Sequence, residues 1–123
     1  MSGKGAAMRI HNLYEDEQGE SHWRDIEVEW TEMTPGGPAS SRMPASGVIF
    51  REMPVTYDLD WHVAPRRQYV VHLDGDAQIT ASDGIARIIK AGEIVLVEDV
   101  KGKGHLSKNV CGRPYHCLFV AFD

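Results

Sequence analysis

The sequence predicts an all-β domain, a small jelly-roll barrel with an interior sized for a small molecule. Three observations carry that expectation. From Arg24 onward the chain is a run of short apolar segments cut by Gly, Pro and Asp, the punctuation of sandwiches and barrels. Segments such as Asp25 to Thr31 alternate apolar and charged residues, as strands with one buried face do. No stretch keeps a helical period over a useful length. The one suggestion, Asn12 to Gln18 ended by Gly19, is good for a single turn, below what a stable helix needs.

Taken in order, Met1 to Ala7 (MSGKGAA) is small and polar and is expected to be a flexible tail, which leaves 8–123 as one domain. Asp25 to Thr31 (DIEVEWT) puts Ile26, Val28 and Trp30 on one face and Glu27 and Glu29 on the other. Thr34 to Ser46 is rich in Pro, Gly and Ser and reads as a loop over a barrel end or toward a partner subunit. Gly47 to Met53 (GVIFREM) is a strand closed by Pro54. Arg67 to Leu73 is another, turned by Asp74-Gly75-Asp76. Ala77 to Ser82 and Ile85 to Lys90 flank Asp83-Gly84, a pair that favours a type I′ hairpin. Ala91-Gly92 turns into Glu93 to Val97, and Tyr115 to Phe122 is the last strand. About eight short strands of this kind make a jelly roll, whose closure hides strand edges.

Composition excludes several function classes. The chain has 123 residues, 42% hydrophobic and 25% charged, an ordinary globular balance. Thirteen basic against eighteen acidic residues give a net charge of −5, with no basic stripe, so neither nucleic acid nor an anionic membrane is an expected partner. No apolar run is long enough to span a bilayer and no signal peptide opens the chain, so the expected location is cytoplasmic. Cys111 and Cys117 are too few for a disulfide framework and read as reduced thiols.

Four features bear chemistry: His62 after Trp61, Gln68 seven residues before Gly75, Gly102-Lys103-Gly104-His105 with Asn109 four residues past the histidine, and the pairing of the strands that these segments introduce. Here the chain resembles the cupin superfamily, whose motifs run G-x5-H-x-H-x3/4-E-x6-G and G-x5-P-x-G-x2-H-x3-N. With Gly75 as the closing glycine, Gln68 takes the glutamate position, His62 the first histidine and Ala64 the second. Gly92 opens the second motif, Gly102 and His105 keep G-x2-H, and Asn109 keeps H-x3-N. Val100 replaces the proline, and the stretch before it is two residues too long. The likeness covers Gly47 to Phe122, and a double-stranded β-helix (a jelly-roll cupin barrel) is the fold it implies.

Cupins commonly hold a divalent metal with three histidines and a glutamate. The resemblance carries that role over to His62 and His105, with Gln68 offering a neutral amide and Ala64 no ligand at all. The cofactor it allows is a divalent metal (Zn, Fe, Ni or Mn), and the loss of the only anionic ligand weighs toward a metal-free site. Without metal, His62 and His105 are candidates for general acid and base. The other reading of His62 is a hydrogen-bonded histidine at the barrel mouth, and of His105 an incidental histidine on a glycine-rich turn. His72 shares a strand face with Gln68 and Val70 and is either a polar pocket residue or an exposed strand histidine. Arg66 and Arg67 could neutralise a substrate carboxylate or phosphate. Their directions alternate, so at most one faces the cavity, and otherwise both are solvated rim charges. Arg51 and Lys103 are weaker candidates for that role. Glu98-Asp99 reads as a charged loop, or as the missing carboxylate if the expanded motif bends inward. Phe50, Phe119 and Phe122 are expected as core or cavity wall, Tyr69 and Trp30 as packing, and His22 as an exposed loop residue.

The function these residues imply is binding of a small polar or anionic metabolite, with isomerase, lyase or dioxygenase chemistry on it. The alternative is a non-catalytic ligand-binding or sensing cupin. A homodimer formed through an N-terminal strand bearing Trp23 and Trp30 is the expected assembly.

Overall fold

The computed structural model describes residues 7–122, so the tail expected over 1–7 lies almost wholly outside the described residues. The described residues form strands alone as regular elements. They are β1 (Arg9–Glu15), β2 (Ser21–Glu27), β3 (Glu32–Thr34), β4 (Gly37–Ala39), β5 (Gly47–Met53), β6 (Asp58–His62), β7 (Gln68–His72), β8 (Ala77–Ala81), β9 (Ala86–Ile89), β10 (Ile94–Val97), β11 (His105–Asn109) and β12 (Tyr115–Ala121). A six-stranded sheet in the order β2-β1-β10-β7-β12-β5 faces a four-stranded sheet in the order β6-β11-β8-β9. The all-β jelly roll expected from the sequence is the observed fold. Its core lies between the sheets, where Leu13, Val70, Ile79, Ile89, Val95, Tyr115 and Cys117 pack together.

The N-terminal segment departs from expectation. Asn12 to Gln18 makes no helical turn, because Asp16 closes a hairpin instead. Its Oδ1 accepts from the backbone N–H of Gln18 and Glu20 at 2.9 and 3.0 Å, and Gly19 takes φ 83°, which glycine tolerates best. That turn sets the register Glu15↔Ser21 through Arg9↔Glu27, so the strand expected over Asp25–Thr31 begins four residues earlier and ends at Glu27. β1 then runs parallel to β10, with Asn12 opposite Leu96 and Leu13 opposite Val97. The Pro/Gly/Ser loop carries β4, which pairs back onto β3 at the loop's start.

The Asp83-Gly84 turn is also different from the type I′ form. Gly84 alone has positive φ, 92°. Gly84 N–H reaches Ala81 O at 3.0 Å and Ala81 N–H reaches Ile85 O at 2.9 Å, a type I turn followed by a glycine bulge. Asp83 is spared left-handed geometry and its Oδ1 accepts from Ile85 N–H instead.

Closure is incomplete. β5 pairs only with β12, and β6 only with β11, so a seam runs between β5 and β6. Val48, Ile49 and Phe50 on one side and Leu59, Trp61 and Val63 beyond it are exposed.

Candidate functional site

Between the sheets lies a cavity of about 220 Å³, suited to a small metabolite rather than a drug-sized ligand. Its middle is a girdle of Ile49, Leu59, Val70, Ile79, Val95 and Phe119. The polar groups stand at its ends, apart from Ser107, which is in register with Leu59 and Ile79.

One end is built by the segments that flank β7 and β11. His62 closes β6 and His105 opens β11, and the two are paired across those strands with ring centroids 4.3 Å apart. The approach depends on Gly104, which has φ 76° and whose place for a Cβ is 2.1 Å from His62 O. Gly102 is confined in the same way against Gly19, 2.2 Å from its carbonyl oxygen, and Ser21 Oγ donates to Gly104 O at 2.7 Å. The glycine-rich segment is therefore clamped by the β1–β2 turn, and that clamp fixes where His105 begins.

His105 Nδ1–H donates to Asp99 Oδ2 at 2.5 Å, with the carboxylate fully buried and the imidazole almost so. His62 Nδ1–H donates to Asp60 O at 2.7 Å. Both rings thus keep the proton on Nδ1 and leave Nε2 as the free acceptor, without a protein partner among the described residues. Burial lowers the His62 pKa below the ordinary histidine value, which keeps that ring neutral at pH 7.

Gln68 is buried and lines the cavity, as does Ala64. His72 lines it too and is only 2% exposed. Burial brings its pKa down to about 4. Of the two adjacent arginines Arg66 lines the cavity. Arg67 turns outward, binds Glu98 Oε2 through Nε and Nη2 at 2.9 and 2.7 Å and covers Phe122. Arg51 also lines the cavity, its guanidinium 5.1 Å from the Phe119 ring centre. Lys103 is not among the lining residues and reaches Glu20 Oε1 at 3.4 Å. Phe50 requires a correction: it is 78% exposed and points outward, because Ile49, Arg51 and Met53 take the inward parity of β5. Phe119 lines the cavity, whereas Phe122 packs edge-on against Tyr69 outside it. His22 sits on β2 between Asp16 and Asp83, 2.7 and 2.9 Å from their carboxylates.

The acidic pair is no charged loop. Asp99 turns inward to His105, and Glu98 accepts from Asn12 Nδ2 at 2.9 Å as well as from Arg67. The two extra residues in the second motif were the available signal for that inward bend. Sequence reasoning passed over Tyr57, Ser107, Tyr115 and Cys117, all in the cavity wall. Tyr57 and Ser107 share a hydrogen bond of 2.6 Å. The alternation Tyr115, Cys117, Phe119 along β12 could have found two of them.

The metal centre implied by the resemblance is not assembled. Among the described residues no three His, Cys, Asp or Glu side chains are grouped to hold a metal. His62, His105 and the Gln68 amide line the cavity, and the Asp99 carboxylate is bonded to His105 Nδ1. Two imidazoles and one amide, with no anionic ligand, are a weak donor set for a divalent cation.

No protein-family model and no curated protein sequence matches the chain. Solved structures are similar in fold. A conserved Streptococcus pyogenes protein of unknown function has TM-score 0.50 and 17% identity over 68% of this chain and 69% of that one. A Neisseria meningitidis protein has TM-score 0.47 and 19% identity over 63% and 75%. A Salmonella typhimurium protein provisionally named ethanolamine utilization protein Q has TM-score 0.41 and 11% identity over 96% and 98%. At such identities the first likeness speaks to fold alone, and the other two carry no argument. Among the described residues no helix is long and apolar enough to cross a membrane.

Proposed function

We propose that the chain is a cupin-type barrel that binds a small anionic metabolite in its cavity and moves a proton on it, as an isomerase or lyase without a metal. The observation that carries this reading is the buried Asp99–His105 pair. An imidazole held at Nδ1 by a carboxylate presents a basic Nε2 in a fixed direction, and the imidazolium formed on protonation is stabilised by that carboxylate. His105 Nε2 takes a proton from the carbon next to a substrate carboxylate, and the electron pair left behind delocalises into that carboxylate. The pair then expels a β-hydroxyl, which leaves as water with the proton from His105, or, where a β,γ double bond is conjugated with it, is protonated by His105 at the γ carbon. His62 Nε2, neutral, accepts a hydrogen bond from a substrate hydroxyl, and Arg66 neutralises the carboxylate at the same end. Gln68 supplies a neutral donor and acceptor beside them.

The apolar girdle supports a second reading, a non-catalytic ligand-binding or sensing domain. Proton NMR in D2O with a panel of short 2-hydroxy and 3-hydroxy carboxylates separates the two. Deuterium uptake that is lost in His105→Ala and reduced in Asp99→Asn supports proton transfer. Binding without exchange leaves the sensing domain, and no binding removes both. Elemental analysis of the purified protein after incubation with Zn, Fe, Ni and Mn salts tests the metal-free assignment, which stoichiometric retention of any of them overturns.

The homodimer belongs to the same proposal, with a different seat. Trp23 is engaged with its own chain, donating Nε1–H to Ile85 O at 3.1 Å and standing edge-on to His11. β5 instead has one unpaired edge and three consecutive exposed apolar residues, Val48, Ile49 and Phe50, the kind of edge that soluble proteins cover. A second copy adding strand to strand there covers both. Two free thiols, Cys111 and Cys117, suit the reducing cytoplasm.

A further inference from the structure

We infer that the cavity selects a ligand with an anionic group at each end, an α,ω-dicarboxylate, with Arg51 as the determinant of the second group. This rests on the reading of the cavity as a ligand site.

The topology separates the two ends. His62 and Gln68 are joined by the short link Val63–Arg67, and Val97 pairs with Gln68 two residues before Asp99. His62, His105, Asp99, Gln68 and Arg66 therefore share one end. His72 and Ala77 are joined by Leu73–Asp76 and mark the other, and four residues of strand between Gln68 and His72 span about 13 Å. At that far end Cys117 is in register with His72 on one side and with Arg51 on the other. The three form one inward-facing row, and all line the cavity.

The charge of the lining is one-sided. It contains no Asp or Glu, and its only permanently charged groups are two exposed arginines, Arg66 at the near end and Arg51, rooted at the far end with its guanidinium over Phe119. Neither makes an ion pair among the described residues. The remaining titratable groups at the far end are neutral at pH 7: burial brings His72 down to about 4, pushes Cys117 up to about 12, and raises Tyr57 and Tyr115 above the ordinary phenol range.

At the far end the His72 ring stacks on Tyr115, centroids 5.6 Å apart and planes 19° from parallel, with its Nδ1 enclosed by protein. A carboxylate suits this end because Arg51 supplies paired donors and charge. With the near carboxylate at Arg66, the methylene chain of a dicarboxylate lies against the girdle.

The test is calorimetric titration with adipate and with hexanoate, which share a chain length and differ in one carboxylate. Adipate is expected to bind about tenfold more tightly. Arg51→Gln is expected to remove that preference, and its urea-unfolding midpoint beside that of the wild type reports that the variant is folded. Equal binding of the two acids, or a preference that survives Arg51→Gln, overturns the dicarboxylate assignment and leaves the cavity a ligand site. If neither acid nor their C5 to C8 homologues bind, the ligand-site reading fails and this inference goes with it.

Discussion

Asp99 Oδ2 stands 2.5 Å from His105 Nδ1 in the interior, and the second oxygen of the same carboxylate has no partner. The carboxylate is thus tied to the fold by one side chain. His105→Leu leaves it wholly unpartnered, and a loss of about 3–5 kcal/mol is expected, as for other buried pairs broken from one side. His105→Leu combined with Asp99→Leu should recover most of that loss. Urea unfolding of the wild type, both single variants and the double variant decides it. Additive losses would mean that the two side chains are not coupled.

His72 is expected to make the fold acid-sensitive. Burial holds its native pKa down to about 4 against about 6.5 unfolded. Its contribution is fully present above pH 6.5 and is lost as pH falls through 4, in all of the order of 3 kcal/mol at about 1.4 kcal/mol per pKa unit. His72→Phe keeps a ring against Tyr115 and should flatten the stability profile between pH 6.5 and 4. An unchanged slope in that variant would assign the acid sensitivity elsewhere.

His22 is expected to act in the opposite sense. Hydrogen bonds from Asp16 and then Asp83 raise its pKa above the ordinary value, and the bond to His22 lowers that of Asp16. The histidine's contribution is complete below the unfolded value and disappears as pH rises through the raised one. The Asp16 contribution appears above the ordinary carboxylate value and is lost as pH falls through the lowered one. A shallow stability maximum between about pH 4 and 6.5 follows, which His22→Gln should remove and added salt should shrink. Thermal midpoints at 0.05 and 0.5 M salt, across that pH range, provide the measurement (screening lengths of about 14 Å and about 4 Å).

Gly104→Ala is expected to do more harm than Gly84→Ala, although both glycines have positive φ. Both variants carry the left-handed strain of about 1–2 kcal/mol. A Cβ at Gly84 meets nothing within 4 Å, whereas one at Gly104 collides with the His62 carbonyl. Chemical denaturation should separate them by more than 1 kcal/mol (about the size of such strain), and the His62 and His105 ring resonances should shift in Gly104→Ala alone. Equal stabilities would mean that the two backbones are not in contact at this point.

Where the sequence alternates cleanly, its strands can be read directly: Gln68, Val70 and His72 face inward together, as a period of two requires. β5 could not be read that way. Val48, Ile49 and Phe50 are consecutive apolar residues, so hydrophobicity does not say which parity faces in, and Phe50 was assigned to the wrong face. β1 is hard to delimit from sequence because a core position on it is Asn12, fully buried and satisfied by Leu96 O, Glu98 and Arg24. Those partners lie far away along the chain. Asp99 was legible only as a conditional, since carboxylates are seldom buried without a partner and its partner depends on the tertiary fold. The positions of His62, His105 and Gln68 were accessible through motif spacing, while the orientation of their rings and the tautomers were not.

The parallel pairing of β1 with β10 has a consequence for how the molecule is made. The first described strand to leave the ribosome finds its mate more than eighty residues later, and until Val97 emerges Leu13 and Asn12 have no neighbour on that side. Such late-closing, non-local strands fold slowly and spend that interval open to wrong partners. Because Glu98 N–H is bound by Leu13 O at 2.7 Å, the step that ends the wait also settles the backbone next to Asp99. In this chain the pairing of β1 with β10 and the placing of the backbone that leads into Asp99 are one step.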